Sequence, residues 1–241
     1  MTVVPAAGSG PGPLVVAQLA LLGAELSAAG LGAGVALGTE PGLAPAGPGE
    51  SAALSSMPAR RRSEFLAGRL AARRALRAVG LDCGDVPRAG RLPLFPPGRA
   101  ASISHSAGVA LAVARAPGRD TPLGCDLELC PLPPGAARLV LRADEEHLLR
   151  EWSVTALFSA KEAAWKALLG PRAARTPAGG HPGTDPGTLR DLRAGPGGAG
   201  GLRVRTRDGA GRPWAGSPVV RVRVLAVGPG VLSVVMAAGA G

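Results

Sequence analysis

Residues 158–166 of the chain read Phe158-Ser159-Ala160-Lys161-Glu162-Ala163-Ala164-Trp165-Lys166. They contain the only two lysines among 27 Lys and Arg residues, so a sequence that otherwise uses arginine has lysine here. An ammonium is a compact charge on a flexible stem, whereas a guanidinium is a rigid planar fork. This stretch is therefore the first candidate for phosphate chemistry. Chance clustering in an arginine-rich composition is the alternative.

The same stretch belongs to a helix predicted from about Ser153 to Leu169, which ends at Gly170-Pro171. On a helix, Glu162 and Lys166 lie four residues apart with the glutamate nearer the N-terminus, the better order for an ion pair. One interpretation is a surface salt bridge worth about 0.5 kcal/mol or less. In the other, Glu162 is the third carboxylate of a metal site and the lysines bind phosphate. That interpretation requires the helix to pack beside the strand that carries Asp126.

Upstream, a predicted strand from Pro122 to Leu129 contains two carboxylates, Asp126 and Glu128. Residues two apart in a strand point to the same face, so these two lie side by side. Close carboxylates repel unless a cation lies between them, and Mg²⁺ is the usual cation where phosphates are handled. A solvated strand face with alternating acids is the other interpretation, and the sequence leaves both open.

A basic helix is predicted from Ser63 to Val79, with Gly80 at its end. Its arginines Arg69, Arg73 and Arg77 fall four residues apart and share one face. A solvated basic face is the ordinary reason for such a pattern. An anion-binding face is the functional alternative.

The segment Ser102-Ile103-Ser104-His105-Ser106 follows a proline-rich turn and precedes a strand predicted from Val109 to Ala114. Hydroxyl, imidazole and guanidinium groups together make a good anion pocket. A Ser-His-Asp hydrolase is disfavoured because no G-x-S-x-G turn is present and adjacent Ser and His side chains of a strand point to opposite faces.

The remaining pattern predicts an α+β fold. Residues Leu14 to Ala24 form a core strand or helix, a further helix covers about Ala143 to Trp152, and residues 171–201 form a long mobile loop. The last predicted strands are Leu202 to Arg207, Val219 to Val227 and Val231 to Ala237.

Composition narrows the functional classes. The 241 residues could form one large domain or two of about 120 residues each. Three cysteines, Cys83, Cys125 and Cys130, are too few and too irregular for a disulfide framework or a zinc site, which favours a reducing, cytoplasmic setting. The formal charge of +10 predicts an anionic partner: nucleic acid, a phosphorylated cofactor or an acidic protein.

Taken in order, five segments resemble the 4'-phosphopantetheinyl transferase superfamily, specifically its larger, surfactin-type members. They span about residues 60–169 and comprise Arg61-Arg62-Ser63-Glu64-Phe65-Leu66-Ala67-Gly68-Arg69-Leu70-Ala71-Ala72-Arg73, Pro93-Leu94-Phe95-Pro96-Pro97-Gly98, Ser102-Ile103-Ser104-His105-Ser106, Gly124-Cys125-Asp126-Leu127-Glu128 and the stretch 158–166. The resemblance implies two similar α+β subdomains, residues 1–118 and 119–241, packed as a pseudo-dimer with coenzyme A in the cleft between them.

The resemblance also implies roles for individual residues. Asp126, Glu128 and Glu162 would hold Mg²⁺, with Mn²⁺ as an alternative. Glu162 and Lys166 would be catalytic, with Glu162 as the base. Coenzyme A, including its 3'-phosphate, would be bound by Arg61, Arg69, Arg73, Arg88, Ser104, His105 and Lys161.

The implied reaction is attack by a serine hydroxyl of an acyl, peptidyl or aryl carrier protein on the β-phosphate of coenzyme A, which releases adenosine 3',5'-bisphosphate. The carrier could serve fatty-acid, polyketide, nonribosomal-peptide or siderophore synthesis. The protein is expected to be a cytoplasmic monomer without a nucleic-acid or membrane partner.

Two alternatives to this enzyme remain. One is a nucleic-acid-binding protein that uses Arg60 to Arg77, although the scarcity of aromatic residues removes stacking platforms. The other is a homologue that binds coenzyme A or a carrier without catalysis, which the complete set of expected metal-site residues argues against.

Overall fold

The computed structural model describes residues 13–90, 92–118, 122–169, 188–198, 200–207 and 218–236. Within these ranges, helices pack on antiparallel sheets, which confirms the predicted α+β class. No helix in the described part combines the length and the apolar character that crossing a lipid bilayer requires.

The N-terminal elements surround a three-stranded antiparallel sheet. They are α1 (Pro13–Ala28), β1 (Leu31–Leu37), α2 (Pro48–Ser55), α3 (Ala59–Arg77), β2 (Arg88–Ala89), β3 (Leu92–Pro93), β4 (Ala101–Ser106) and β5 (Val109–Arg115). The sheet has the strand order β1-β5-β4, and β2 pairs with β3 as a separate ribbon. The apolar stretch near the N-terminus, for which a strand or a helix was expected, is helical.

The C-terminal elements form a five-stranded antiparallel sheet with the strand order β6-β10-β9-β8-β7. They are β6 (Cys125–Glu128), α4 (Ala137–Val140), α5 (Val154–Leu168), β7 (Leu192–Pro196), β8 (Gly201–Thr206), β9 (Val219–Val227) and β10 (Gly230–Met236), with 3₁₀ helices at Pro134–Ala136, Ala143–Arg150 and Leu189–Asp191.

The two helices predicted with the clearest patterns are confirmed. Ser153 is the N-cap of α5, and its hydroxyl accepts the amide of Ala156 at 3.1 Å. The second of these helices, α3, is followed by Gly80, which has a φ of 76°. The amide of Leu81 then donates to the carbonyl of Leu76 at 3.0 Å, so the chain leaves the helix through a Schellman-type turn.

Two predictions need correction. The helix expected over about 143–152 is a 3₁₀ helix over Ala143–Arg150. The long loop expected over 171–201 lies outside the described residues as far as 187, but beyond that point it is wrong, because β7 occupies Leu192–Pro196. This edge strand buries only two side chains, Leu192 and Ala194, which is too short an alternation to recognise in a sequence.

Each sheet has a helix on one face. α3 packs on the three-stranded sheet through small side chains, and α5 packs on the five-stranded sheet in the same way. The closest approach is at Gly124, just before β6, where a Cβ atom would lie 1.9 Å from the carbonyl oxygen of Ala163. Glycine is therefore required there, and its absence of a side chain allows β6 to lie directly against α5.

The two sheets meet along β4 and β6, both of which are edge strands. The two strands are connected by hydrogen bonds that backbone amides of β6 donate to serine hydroxyls of β4. Ser102 accepts the amide of Cys125 at 3.0 Å, Ser104 that of Leu127 at 3.1 Å, and Ser106 that of Leu129 at 3.0 Å. We call these three contacts the serine ladder. The predicted boundary between residues 118 and 119 falls between the two sheets in sequence and remains a prediction.

Candidate active site

The centre of the candidate site is the buried carboxylate of Asp126 on β6, which is 4% exposed. Its Oδ1 atom accepts two hydrogen bonds, from the hydroxyl of Ser104 at 2.9 Å and from the ammonium of Lys166 at 2.8 Å. Its Oδ2 atom is buried and has no hydrogen-bond partner among the described residues. One oxygen of this carboxylate is thus fully used, and the other is available to a ligand.

Lys166 links α5 to β6. Its ammonium donates to the carbonyl of Cys125 at 2.9 Å as well as to Asp126. Burial alone would lower the pKa of Lys166, but the nearby negative charges of Asp126 and Glu162 outweigh that effect and raise the pKa. The ammonium of Lys166 is therefore charged at neutral pH, and it faces β6, the strand that carries Asp126.

Glu128 lies two residues beyond Asp126 and is partly buried. Loss of hydration raises the pKa of Glu128 to about 7, with further contributions from the charges of Asp126 and Glu162 that Lys166 only partly offsets. The three carboxylates expected together, Asp126, Glu128 and Glu162, are consequently within electrostatic range of one another. Such crowding of negative charge around a buried oxygen suits a cation.

The described residues contain no preassembled group of three His, Cys, Asp or Glu side chains ready to hold a metal ion. Two observations nevertheless fit a hard divalent cation. The Oδ2 atom of Asp126 lacks a partner, and the pKa of Glu128 is raised by the carboxylates around it. A bound cation would give the Oδ2 atom of Asp126 a partner and would lower the pKa of Glu128. The full metal set remains a prediction.

Lys161 occupies a different environment from the one expected. It is 0% exposed, and its ammonium donates to the carbonyls of Val140 at 2.9 Å and Leu192 at 3.1 Å and to the carboxylate of Glu145 at 2.8 Å. An ammonium has three N–H groups, and all three are used inside the protein. We therefore leave Lys161 out of the phosphate-binding set.

The arginines expected to bind coenzyme A divide into two groups. Arg69 and Arg73 are buried. The guanidinium of Arg69 donates to the carbonyl of Val86 at 2.8 Å, and that of Arg73 donates to the carboxylate of Glu50 at 2.7 Å. Arg69 thus holds the loop that follows α3 against the helix, and Arg73 links α3 to α2, so both guanidinium groups are engaged inside the protein.

Burial lowers the pKa of Arg69 to about 10, so the guanidinium stays charged at neutral pH. Arg88 is exposed, and its Nε donates to the carbonyl of Gly90 at 2.8 Å.

Arg61 and His105 line one small pocket of about 200 Å³ at the N-terminal end of α3, beside the turn between β4 and β5. Arg60 and Glu64 complete its polar wall, and the guanidinium of Arg61 lies 2.9 Å from the carboxylate of Glu64. Reduced hydration lowers the pKa of His105. Ser104, next to His105 in the chain, points the other way and contacts Asp126.

Sequence reasoning missed several partners. One is Glu64, whose position three residues after Arg61 on a helix indicates a shared face. Glu50 and Glu145 are both 0% exposed and bind Arg73 and Lys161 respectively. No local spacing points to either pair, since their members are 23 and 16 residues apart.

Part of the chain is similar to known proteins. The family model for the 4'-phosphopantetheinyl transferase N-terminal domain matches residues 49–115, which contain α3 and the serine-histidine segment. Enterobactin synthase component D of Salmonella typhi is 39% identical over 125 residues, which cover 47% of this chain and 51% of that protein. Over residues 49–115 this chain is similar to the 4'-phosphopantetheinyl transferase superfamily.

Two further relatives of this chain have the same name. The protein of Salmonella typhimurium is 38% identical over 125 residues, covering 47% of this chain and 51% of its own length. The protein of Escherichia coli O157:H7 is 38% identical over 119 residues, which cover 45% of this chain and 55% of that protein. The chain spans about half the length of the curated relatives it matches. The surfactin-type subgroup remains a prediction.

Proposed function

We propose that this chain transfers the 4'-phosphopantetheine group of coenzyme A to a serine hydroxyl of an apo acyl, peptidyl or aryl carrier protein. The observation that supports this most directly is the environment of Asp126. One of its oxygens is bound by Lys166 and Ser104, while the other is buried without a partner next to a second carboxylate of raised pKa.

The proposed reaction needs a base, an electrophile and compensation for negative charge. Glu162 takes the proton of the carrier serine, whose oxygen then forms a bond to the β-phosphorus of coenzyme A. The bond from that phosphorus to the bridging oxygen breaks, and adenosine 3',5'-bisphosphate leaves with the bridging oxygen. A serine hydroxyl is a poor nucleophile at neutral pH, so a carboxylate close to it is essential.

Asp126, Glu128 and Glu162 are the residues that would hold Mg²⁺, which when bound neutralises charge on the pyrophosphate oxygens. The ammonium of Lys166 contributes a fixed positive charge beside Asp126. Ser104 orients that carboxylate from the opposite strand. In this proposal Arg61 and His105 bind a phosphate of coenzyme A, because they are the expected basic groups that line an open pocket.

The alternative of a nucleic-acid-binding helix loses support. Of the arginines expected to form its face, Arg69 and Arg73 are buried among protein acceptors, and Arg74 forms an ion pair with Glu40. The name of the relatives, a component of enterobactin synthase, supports siderophore synthesis as the pathway. A cytoplasmic location and a monomeric state remain part of the proposal.

The decisive experiment is mass spectrometry of an apo carrier protein incubated with the protein, coenzyme A and Mg²⁺. We expect the carrier to gain one phosphopantetheine. Asp126→Asn and Glu162→Gln should each reduce the initial rate about a hundredfold or more, since Asp126 would hold the metal ion and Glu162 would be the base. Asp82→Asn, at an exposed carboxylate outside the site, is the matched control. An unmodified panel of acyl, peptidyl and aryl carriers with folded wild-type protein would refute the proposal.

A further inference from the structure

The five-stranded sheet presents five arginines on one face. They are Arg193 on β7, Arg203 and Arg205 on β8, and Arg221 and Arg223 on β9. The strand register sets Arg193 opposite Arg205 and Arg203 opposite Arg221. Directly opposite residues share a face, and so do residues two apart in one strand. All five side chains therefore project from the same side of the sheet, which we call the arginine face.

The other side of these strands is core. The residues that alternate with the arginines are buried and pack around α5, namely Leu192, Ala194, Leu202, Val204, Val220 and Val222. The arginine face is consequently turned to solvent, and Arg203, Arg221 and Arg223 are exposed. Neighbouring strands lie about 4.8 Å apart, and residues two apart lie about 7 Å apart, so the five charges form a compact grid.

Such a grid opposes folding, because like charges directly opposite each other in a sheet repel. Only two of the five arginines are neutralised by carboxylates of the described residues. Arg193 lies 3.2 Å from the carboxylate of Asp144, and Arg223 forms an ion pair with Glu25. Within the described ranges, Arg203, Arg205 and Arg221 form no ion pair.

The segments outside the described ranges carry an excess of positive charge. By sequence, the residues outside the described ranges include three acidic residues and five arginines. Those segments are net basic. The arginine face therefore keeps an excess of positive charge, which suits an anionic partner.

We propose that the arginine face is a docking surface for the acidic surface of a partner protein. Guanidinium groups bind carboxylates through two parallel hydrogen bonds, so three arginines without a carboxylate partner in the described part of the chain are complementary to clustered aspartates and glutamates. Nucleic acid fits less well, because β7, β8 and β9 have no aromatic residue for base stacking.

The docking surface is separate from the candidate active site. Arg223 lies opposite Val234, which lies opposite Cys125, whereas the neighbouring residue of β6, Asp126, points to the other side of the sheet. The partner would therefore be held on the back of the sheet while the site stays open. This inference does not depend on the proposed transfer reaction.

The test is a double charge reversal, Arg205→Glu with Arg221→Glu. Each new glutamate lies opposite a retained arginine, Arg193 or Arg203, so both repulsive pairs become attractive. We expect the melting temperature to rise, which also verifies that the variant folds. Arg138→Glu with Arg150→Glu changes the net charge by the same amount at exposed positions on other elements. Arg205→Gln with Arg221→Gln provides a milder second variant.

Binding is measured by fluorescence anisotropy at physiological ionic strength with three labelled probes: a helical peptide rich in glutamate, the same peptide with glutamine, and a short duplex DNA. We expect the wild type and the Arg138/Arg150 variant to bind the glutamate peptide alone. The Arg205/Arg221 variants should lose at least about tenfold in affinity. Equal losses in both double reversals, tighter binding of DNA than of the glutamate peptide, or no binding by the wild type would each overturn the proposal.

Discussion

The hydroxyl of Ser104 donates a 2.9 Å hydrogen bond to Oδ1 of Asp126 while it accepts the amide of Leu127. Ser104 belongs to the three-stranded sheet and Asp126 to the five-stranded sheet. A residue expected to grip coenzyme A is therefore a positioning residue for the carboxylate at the centre of the candidate site.

Replacing Ser104 with alanine should reduce the transfer rate more than it reduces stability. The change removes one amide partner, at a cost of about 1–2 kcal/mol, and also frees the Asp126 carboxylate to rotate. We expect kcat to fall about tenfold while KM for coenzyme A changes little. Ser102→Ala is the matched control, because Ser102 accepts the amide of Cys125 but does not touch Asp126. Equal loss of kcat in the two variants would contradict the positioning role.

The two lysines should respond in opposite ways to replacement by methionine. Lys161→Met leaves Glu145 buried with one cation fewer and should lower the free energy of unfolding by about 3 kcal/mol. Lys166→Met should abolish transfer with a smaller loss of stability, because its side chain is partly exposed at the site. Urea denaturation and the carrier assay separate the two effects. If Lys161→Met is as stable as the wild type, the ion pair between Lys161 and Glu145 does not stabilise the fold.

Without divalent cations, stability should fall as pH rises through the titration of Glu128. Its pKa is about 7 in the folded protein against 4.5 for an ordinary glutamate, so the folded state binds the additional proton. The resulting stabilisation is complete below pH 4.5 and is lost as pH approaches 7. Glu128→Gln removes this dependence.

Thermal unfolding in EDTA from pH 5 to 8 measures the Glu128 effect. The variant should gain a few degrees over the wild type at the alkaline end only. Added Mg²⁺ should stabilise the wild type more than Glu128→Gln. A constant difference across the pH range would mean that Glu128 has an ordinary pKa.

Gly124→Ala should damage both folding and transfer. The new Cβ would lie 1.9 Å from the carbonyl oxygen of Ala163, so β6 and α5 must separate at the point where Asp126 meets Lys166. We expect a loss of about 3 kcal/mol in the free energy of unfolding. Gly135→Ala is the control, because its Cβ would meet no atom within 4 Å. A well-folded, active Gly124→Ala protein would show that this contact relaxes easily.

Local pattern was sufficient for the elements that build the site. Helix spacing placed α5, and the two-residue period of a strand placed Asp126 and Glu128 on one face. What local pattern could not give is the environment of each charge. Arg69 and Arg73 follow the periodicity of a solvated basic face, yet they are buried because Glu50 and the carbonyls of residues 84, 86 and 87 provide acceptors far away in sequence.

The same limit explains the two lysines. Their spacing around Glu162 suggested a shared phosphate site, but a helix turns between residues 161 and 166, so they point in different directions. Lys161 faces the core beneath β7, and Lys166 faces β6. The acceptors of Lys161 are Val140, Glu145 and Leu192, all at least 16 residues away in sequence, so no local pattern indicates its burial.

The serine ladder restricts the alignment of the two sheets to a few separate registers. Its hydroxyls occur at every second residue of β4, so sliding β4 by one residue along β6 would present Ile103 and His105 to the amides instead of serines. No small displacement keeps the three contacts, and the nearest alternative is a shift of two residues that leaves one amide without a hydroxyl. Side-chain hydrogen bonds, and not a backbone ladder, therefore fix the register of β4 against β6 and align the two halves of the site. Either sheet could change in evolution without losing this register, as long as the three serines remained.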